Sequence, residues 1–154
     1  MADLNTTLAD VLCDRYTTNA ARVRELAGPL SEDQFWEKPF AFGNSFGHLV
    51  LHLTGNLNYY IGTQIEQTGY VRERAREFTD PNPPSKEEAL RRFEGAVSMV
   101  VRTIRAQSSE DWAREYSAVG TKAPNRFAMI MQCDGHMQHH IGQMLYIVYR
   151  WSGK

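Results

Sequence analysis

The sequence holds little cysteine, only Cys13 and Cys133, far apart and in no recognisable framework. A disulfide scaffold is therefore excluded, and a reducing, cytoplasmic setting is the simpler expectation. It also lacks charge of either sign in excess. Seventeen Lys and Arg against eighteen Asp and Glu leave a net charge of -1, so no global field draws the chain onto nucleic acid or an anionic membrane. No apolar stretch approaches the ~20 residues of a membrane span. The segment Met1-Ala2-Asp3-Leu4-Asn5 lacks the basic start and apolar run of a secretory signal. Low-complexity tracts and internal repeats are absent, and strand signals are few. What remains is a chain of 154 residues, 42% hydrophobic and 23% charged, which is ordinary for a globular protein and enough for one domain spanning residues 1–154.

Apolar spacing predicts four long helices. From about Asp3 to Leu26 the residues Leu4, Leu8, Leu12, Tyr16, Ala20 and Val23 recur at three- and four-residue steps, and Gly28-Pro29 stops the pattern. Ser31-Glu32-Asp33-Gln34 is a capping-box sequence that opens one short turn. A second helix is expected from Asn44 or Ser45 to about Gln67, apolar on most sides and therefore buried, with Gly69 as its stop. Residues Tyr70 to Pro84 read as a loop with room for a helical turn, and the charge run from Arg72 to Glu77 reads as a solvated face. Ser85-Lys86-Glu87-Glu88 is another capping-box sequence and opens a third helix with Leu90, Phe93, Val97 and Ile104 inward. Ser108-Ser109-Glu110-Asp111 caps another short turn, and Pro124-Asn125 starts a last helix that reaches about Trp151. Phe35, Trp36, Phe40 and Phe42 read as core and loop anchors. The expected fold is all-α, a four-helix bundle.

The histidines carry the chemical signal. All five lie in two clusters, His48 with His52, and His136 with His139 and His140. Each cluster contains an i,i+4 pair, which a helix points to one side. His136 and His140 share the inward stripe Met129, Cys133, His136, His140, Ile147. Unpaired imidazoles buried in such a seam each lose about 1–3 kcal/mol, and a metal that accepts both nitrogens removes that loss. Either His48 or His52 could add a third ligand. His139 is rotated by roughly 100° from His140 and faces elsewhere. Three histidine ligands with an open position are the catalytic rather than the structural arrangement. Asn56 and Gln143 are polar neighbours fit to orient a ligand or support the metal ligands. Cys133 reads as a small buried side chain.

His52-Leu53-Thr54-Gly55-Asn56, followed by His136-Met137-Gln138-His139-His140-Ile141-Gly142-Gln143 and an aliphatic-aromatic tail, resembles the DinB-like superfamily over essentially the whole chain. The resemblance implies up-down-down-up helix connections. It also implies a divalent metal, zinc or nickel, on His52, His136 and His140, with His48 and His139 as alternates extra to the pattern, and it implies homodimers. Some relatives are thiol S-transferases that use low-molecular-weight thiols. The expectation is therefore a metal-dependent enzyme of that type acting on a small-molecule substrate, with a thiol cosubstrate and no nucleic-acid or membrane partner. A metal-dependent hydrolase is the near alternative and would want a carboxylate base. Asp134 and Glu66 are the acids nearest in sequence, and neither falls on the histidine stripes. A non-catalytic metal- or small-ligand-binding stress-response protein is the alternative from another class.

Overall fold

A computed structural model describes residues 3–153. Each predicted helix forms where its caps place it. Asp3 accepts from the Thr6 N–H and starts α1, Leu4–Ala27. Ser31 and Gln34 close a reciprocal capping box on α2, Glu32–Trp36. Ser45 accepts from the His48 N–H at the head of α3, Phe46–Leu57. A single turn, α4, covers Arg76–Thr79. Ser85 caps α5, Lys86–Arg105, and Ser108 with Asp111 closes a second full capping box on α6, Ser109–Ala113. Asn125 accepts from the Ala128 N–H to open α7, Arg126–Ser152, which Gly153 ends in the left-handed conformation. Among the described residues there is no strand. One bridge joins Glu115 to Asn125 at the foot of α7.

Several expectations need correction. The second long helix does not run to its end as an α-helix. From Asn58 to Glu66 it continues as a π-helix, whose looser turn is closed by i to i+5 bonds. Thr63 Oγ1 bridges this segment, donating to Tyr70 O at 2.6 Å. The stop is Gln67, with φ 59°, and not Gly69. Leu4 is 73% exposed and Phe42 77% exposed, so neither belongs to the core. Glu88 does not complete a capping box, because its carboxylate pairs with Arg91 and Arg92.

Side-chain pairs fix the topology. Arg24, near the end of α1, pairs with Glu87 at the start of α5, and Arg105 at the end of α5 pairs with Asp10. These helices are antiparallel. Tyr16 donates to Ile130 O, and Asn19 bonds both Asp134 and Gln138, so α1 and α7 run parallel. Glu66, at the end of the α3 rod, accepts from Thr103 near the end of α5, so these two also run parallel. The four long rods are therefore up-down-down-up. Each rod packs on two others, with α1 and α3 across one diagonal and α5 and α7 across the other.

One continuous core fills the bundle, with Tyr16, Phe35, Phe46, Phe93 and Met137 fully enclosed. Burial of each such large side chain contributes roughly 2 kcal/mol. The antiparallel meeting of α3 with α7 brings the two histidine clusters face to face.

Candidate metal centre

His52 on α3 and His136 and His140 on α7 converge, with one ring nitrogen from each within 4.8 Å of the others. Ring centroids are 5.0 Å apart for His52–His136 and for His52–His140, and 4.4 Å for His136–His140. The other two histidines stay out. His48 packs edge-on to Trp36 and against Phe78. His139 is exposed on α7.

The protonation of each ring follows from its partners. His52 Nδ1 lies 2.8 Å from Glu77 Oε2. Arg72 grips the same carboxylate with both ends of its guanidinium, at 2.7 Å and 3.0 Å. Burial pushes the Glu77 carboxyl up, but hydrogen bonds from His52 and Arg72 outweigh burial and hold it below the ordinary value. An ionised carboxylate only accepts, so His52 carries a proton on Nδ1 and turns its Nε2 to the cluster. The Nε2 atoms of His52 and His136 are 2.9 Å apart. In the metal-free protein one proton lies between them. His140 Nδ1 lies 2.7 Å from Gln143 Oε1 and donates to it. Its Nε2 is buried and has no partner. Burial, helped by His140 and His52, pushes His136 down to about 4. Burial also lowers His140, against the raising effect of its Gln143 bond. Both rings are therefore neutral near pH 7.

Three imidazoles, one buried and two half-buried, that share one focus with one nitrogen orphaned form a donor set that fits a divalent transition metal. A cavity of about 970 Å³ opens on this focus, walled in part by His52, Asn56, Tyr59, Cys133 and His136. The π-helical segment supplies Tyr59 and Tyr60 to that wall.

The charge run from Arg72 to Glu77 is not a solvated face at its two ends. The Arg72 and Glu77 side chains are 10% and 7% exposed and reach under His52. Sequence reasoning missed both, since neither lies on a histidine helix. Gly55 was the available signal, because a glycine inside an apolar helix marks close approach of another group. A Cβ there would sit 2.1 Å from Glu77 Oε1. Asp134 and Glu66 are turned away from the histidines, Asp134 to Arg15 and Asn19, Glu66 to Thr103. Asn56 and Gln143 both reach the site, the first in the cavity wall and the second on His140. Trp36 packs against Gly47 on α3, as an anchor should.

An up-down-down-up helical bundle with a three-histidine cluster where two rods meet defines a class of protein capable of holding a metal ion at its open side. The match to known families agrees with this class. The sequence profile of the DinB superfamily matches residues 15–144, and the chain belongs to that superfamily. No curated protein matches it in sequence. Among the described residues, no helix is long and apolar enough to cross a membrane.

Proposed function

We propose that His52, His136 and His140 hold one divalent metal ion, zinc or nickel, and that the chain is a metal-dependent enzyme of the thiol S-transferase type, acting in the cytoplasm on a small electrophile. The observation that carries this reading is the buried, unpartnered Nε2 of His140 beside the Nε2 pair of His52 and His136. Bound there, such an ion supplies a Lewis-acid centre that lets a thiol ionise near neutral pH.

The chain's own residues divide the remaining work. Glu77, clamped by Arg72, keeps the His52 proton on Nδ1, and Gln143 does the same for His140. Val71, Val119 and Met129 give the cavity an apolar wall for an electrophile. Two features support an external thiol as the nucleophile. Burial pushes the Cys133 thiol up to about 12, so it stays protonated and serves as wall. Among the described residues no Asp or Glu lines the cavity, and Glu77 is committed to Arg72 and His52, so a hydrolase would lack its general base. In the transfer, the thiolate sulfur bonds to the electrophilic carbon. The carbon's bond to halide or epoxide oxygen breaks, and the departing atom keeps the electron pair. A homodimer completes the reading, supported by Tyr146 and Tyr149, 71% and 43% exposed on the outer side of α7.

Elemental analysis of untagged protein, before and after reconstitution with Zn²⁺ or Ni²⁺, tests the metal. Stoichiometric metal is expected. A content far below this that reconstitution does not raise refutes the metal site. Turnover of an electrophilic halide should need both metal and added thiol, and turnover without thiol refutes the transferase chemistry.

A further inference from the structure

The cavity beside the histidines has a polarity that thiol ionisation alone does not use. Its fourteen lining residues include Arg72 and Arg74 and no acid. Arg72 is already answered by Glu77. Arg74 is exposed, and among the described residues its guanidinium pairs with no carboxylate. The cavity therefore presents one free planar cation and, among the described residues, no carboxylate to pair with an ammonium group.

A second, independent feature lies deeper. Asn56, one helical turn beyond His52, is 7% exposed and lines the same cavity. Its Oδ1 is buried with no hydrogen-bond partner. Buried amide oxygens in native proteins are nearly always satisfied, so an orphan in a cavity wall points to a donor on the ligand. Between these polar groups the wall is apolar, with Val71, Val119 and Met129.

We propose that this cavity recognises a carboxylate-bearing thiol of the acylated-cysteine class: its amide N–H donates to Asn56 Oδ1, its carboxylate pairs with the Arg74 guanidinium, and its sulfur faces the histidine nitrogens. The proposal rests on the thiol reading above and names which thiol that site takes. A carboxylate fits better than a phosphate dianion. One guanidinium offers one bidentate fork, and the second cation a dianion would want is consumed by Glu77.

The test loads the whole protein with Co²⁺, whose near-ultraviolet thiolate absorption reports sulfur binding. Three probes are titrated: N-acetylcysteine, its neutral carboxamide, and N-acetyl-N-methylcysteine, which lacks the N–H. N-acetylcysteine should bind about fivefold tighter than the carboxamide, the gain of one exposed ion pair, and also tighter than the N-methyl probe. Arg74→Gln, a surface change that leaves the fold intact, should erase the first difference. Asn56→Ser should erase the second. Equal binding of acid and carboxamide, or a preference that survives Arg74→Gln, overturns carboxylate recognition while thiol binding stands. Indifference of the unmodified protein to N-methylation overturns the role of Asn56 without any variant that could misfold. Absence of the thiolate band with every probe overturns the thiol reading and this proposal together.

Discussion

Replacing Gly55 by alanine adds one methyl group to α3 and should weaken metal binding without touching a ligand. The new Cβ would lie 2.1 Å from Glu77 Oε1, where ordinary contact begins near 3.4 Å. The carboxylate must retreat by about 1.3 Å. A free glutamate would swing aside at little cost. Glu77 is held by the two-point grip of Arg72 and by His52 at 2.8 Å, and that retreat stretches these bonds past hydrogen-bond range. A buried charge pair broken in this way costs about 3–5 kcal/mol. Alanine regains about 1 kcal/mol of helix propensity over glycine. The net loss is then about 2–4 kcal/mol, a fall in melting temperature of roughly 10 °C for a domain of this size. Release of the His52 proton from Nδ1 should also lower metal affinity by about 10–100-fold, the usual effect of losing a ligand's supporting carboxylate. Thermal melts of metal-free protein and competition against a chromophoric chelator measure the two quantities. Glu77→Gln, which keeps shape and removes charge, should lower metal affinity in the same direction. A Gly55→Ala protein that melts and binds Zn²⁺ as the parent does would refute the account of Glu77 as the group that orients His52.

Three further outcomes follow from the geometry. The double variant His136→Ala/His140→Ala should lose metal uptake by elemental analysis, and stoichiometric retention would sink the ligand assignment. The metal-free protein should lose stability as pH falls from 6.5 toward 4. The His136 ring takes its proton at 6.5 when unfolded but only at about 4 when folded, so the unfolded state binds more protons across this window and stability rises with pH through it. A denaturation midpoint equal at pH 7 and pH 5 contradicts this. Asp134→Ala should destabilise the α1–α7 seam by about 2 kcal/mol, since it strands Asn19 and frees a half-exposed Arg15 from a carboxylate only 2% exposed. Urea denaturation reads this, and a loss below 0.5 kcal/mol marks the pair as inert.

The helices were legible because their signals are local. Ser31, Ser108 and Asn125 announce helix starts by side chains that reach their own backbone, and the phase of α7 alone separates His140 from His139. The choice of His52 over His48 came from the motif resemblance, and the structure brings the chosen residue to the cluster. The Arg72–Glu77 clamp was not legible. Its residues sit in a charged run whose composition matches a solvated face, and only tertiary folding draws the two ends of that run under α3. The π-helical segment was equally hidden. Its apolar spacing is compatible with an α-helix, and the tie from Thr63 to Tyr70 reaches beyond the helix end to a residue that the helical pattern does not include.

That segment gives the cavity an unusual route to change. In an α-helix each residue advances the phase by roughly 100°, and a substitution alters one side chain while leaving its neighbours in place. The rod from Asn58 to Glu66 accommodates chain length that a regular α-helix would not hold in the same register. Loss of one residue there would let the rod relax to α geometry and re-aim every later side chain while its hydrogen-bond ladder stayed whole. Tyr59 and Tyr60, at the start of the segment, line the cavity. The shape of the binding wall is thus set by the winding of the backbone as well as by side-chain identity, and a single-residue deletion between positions 58 and 66 would remodel the cavity while the histidines, which lie outside the segment, keep their place.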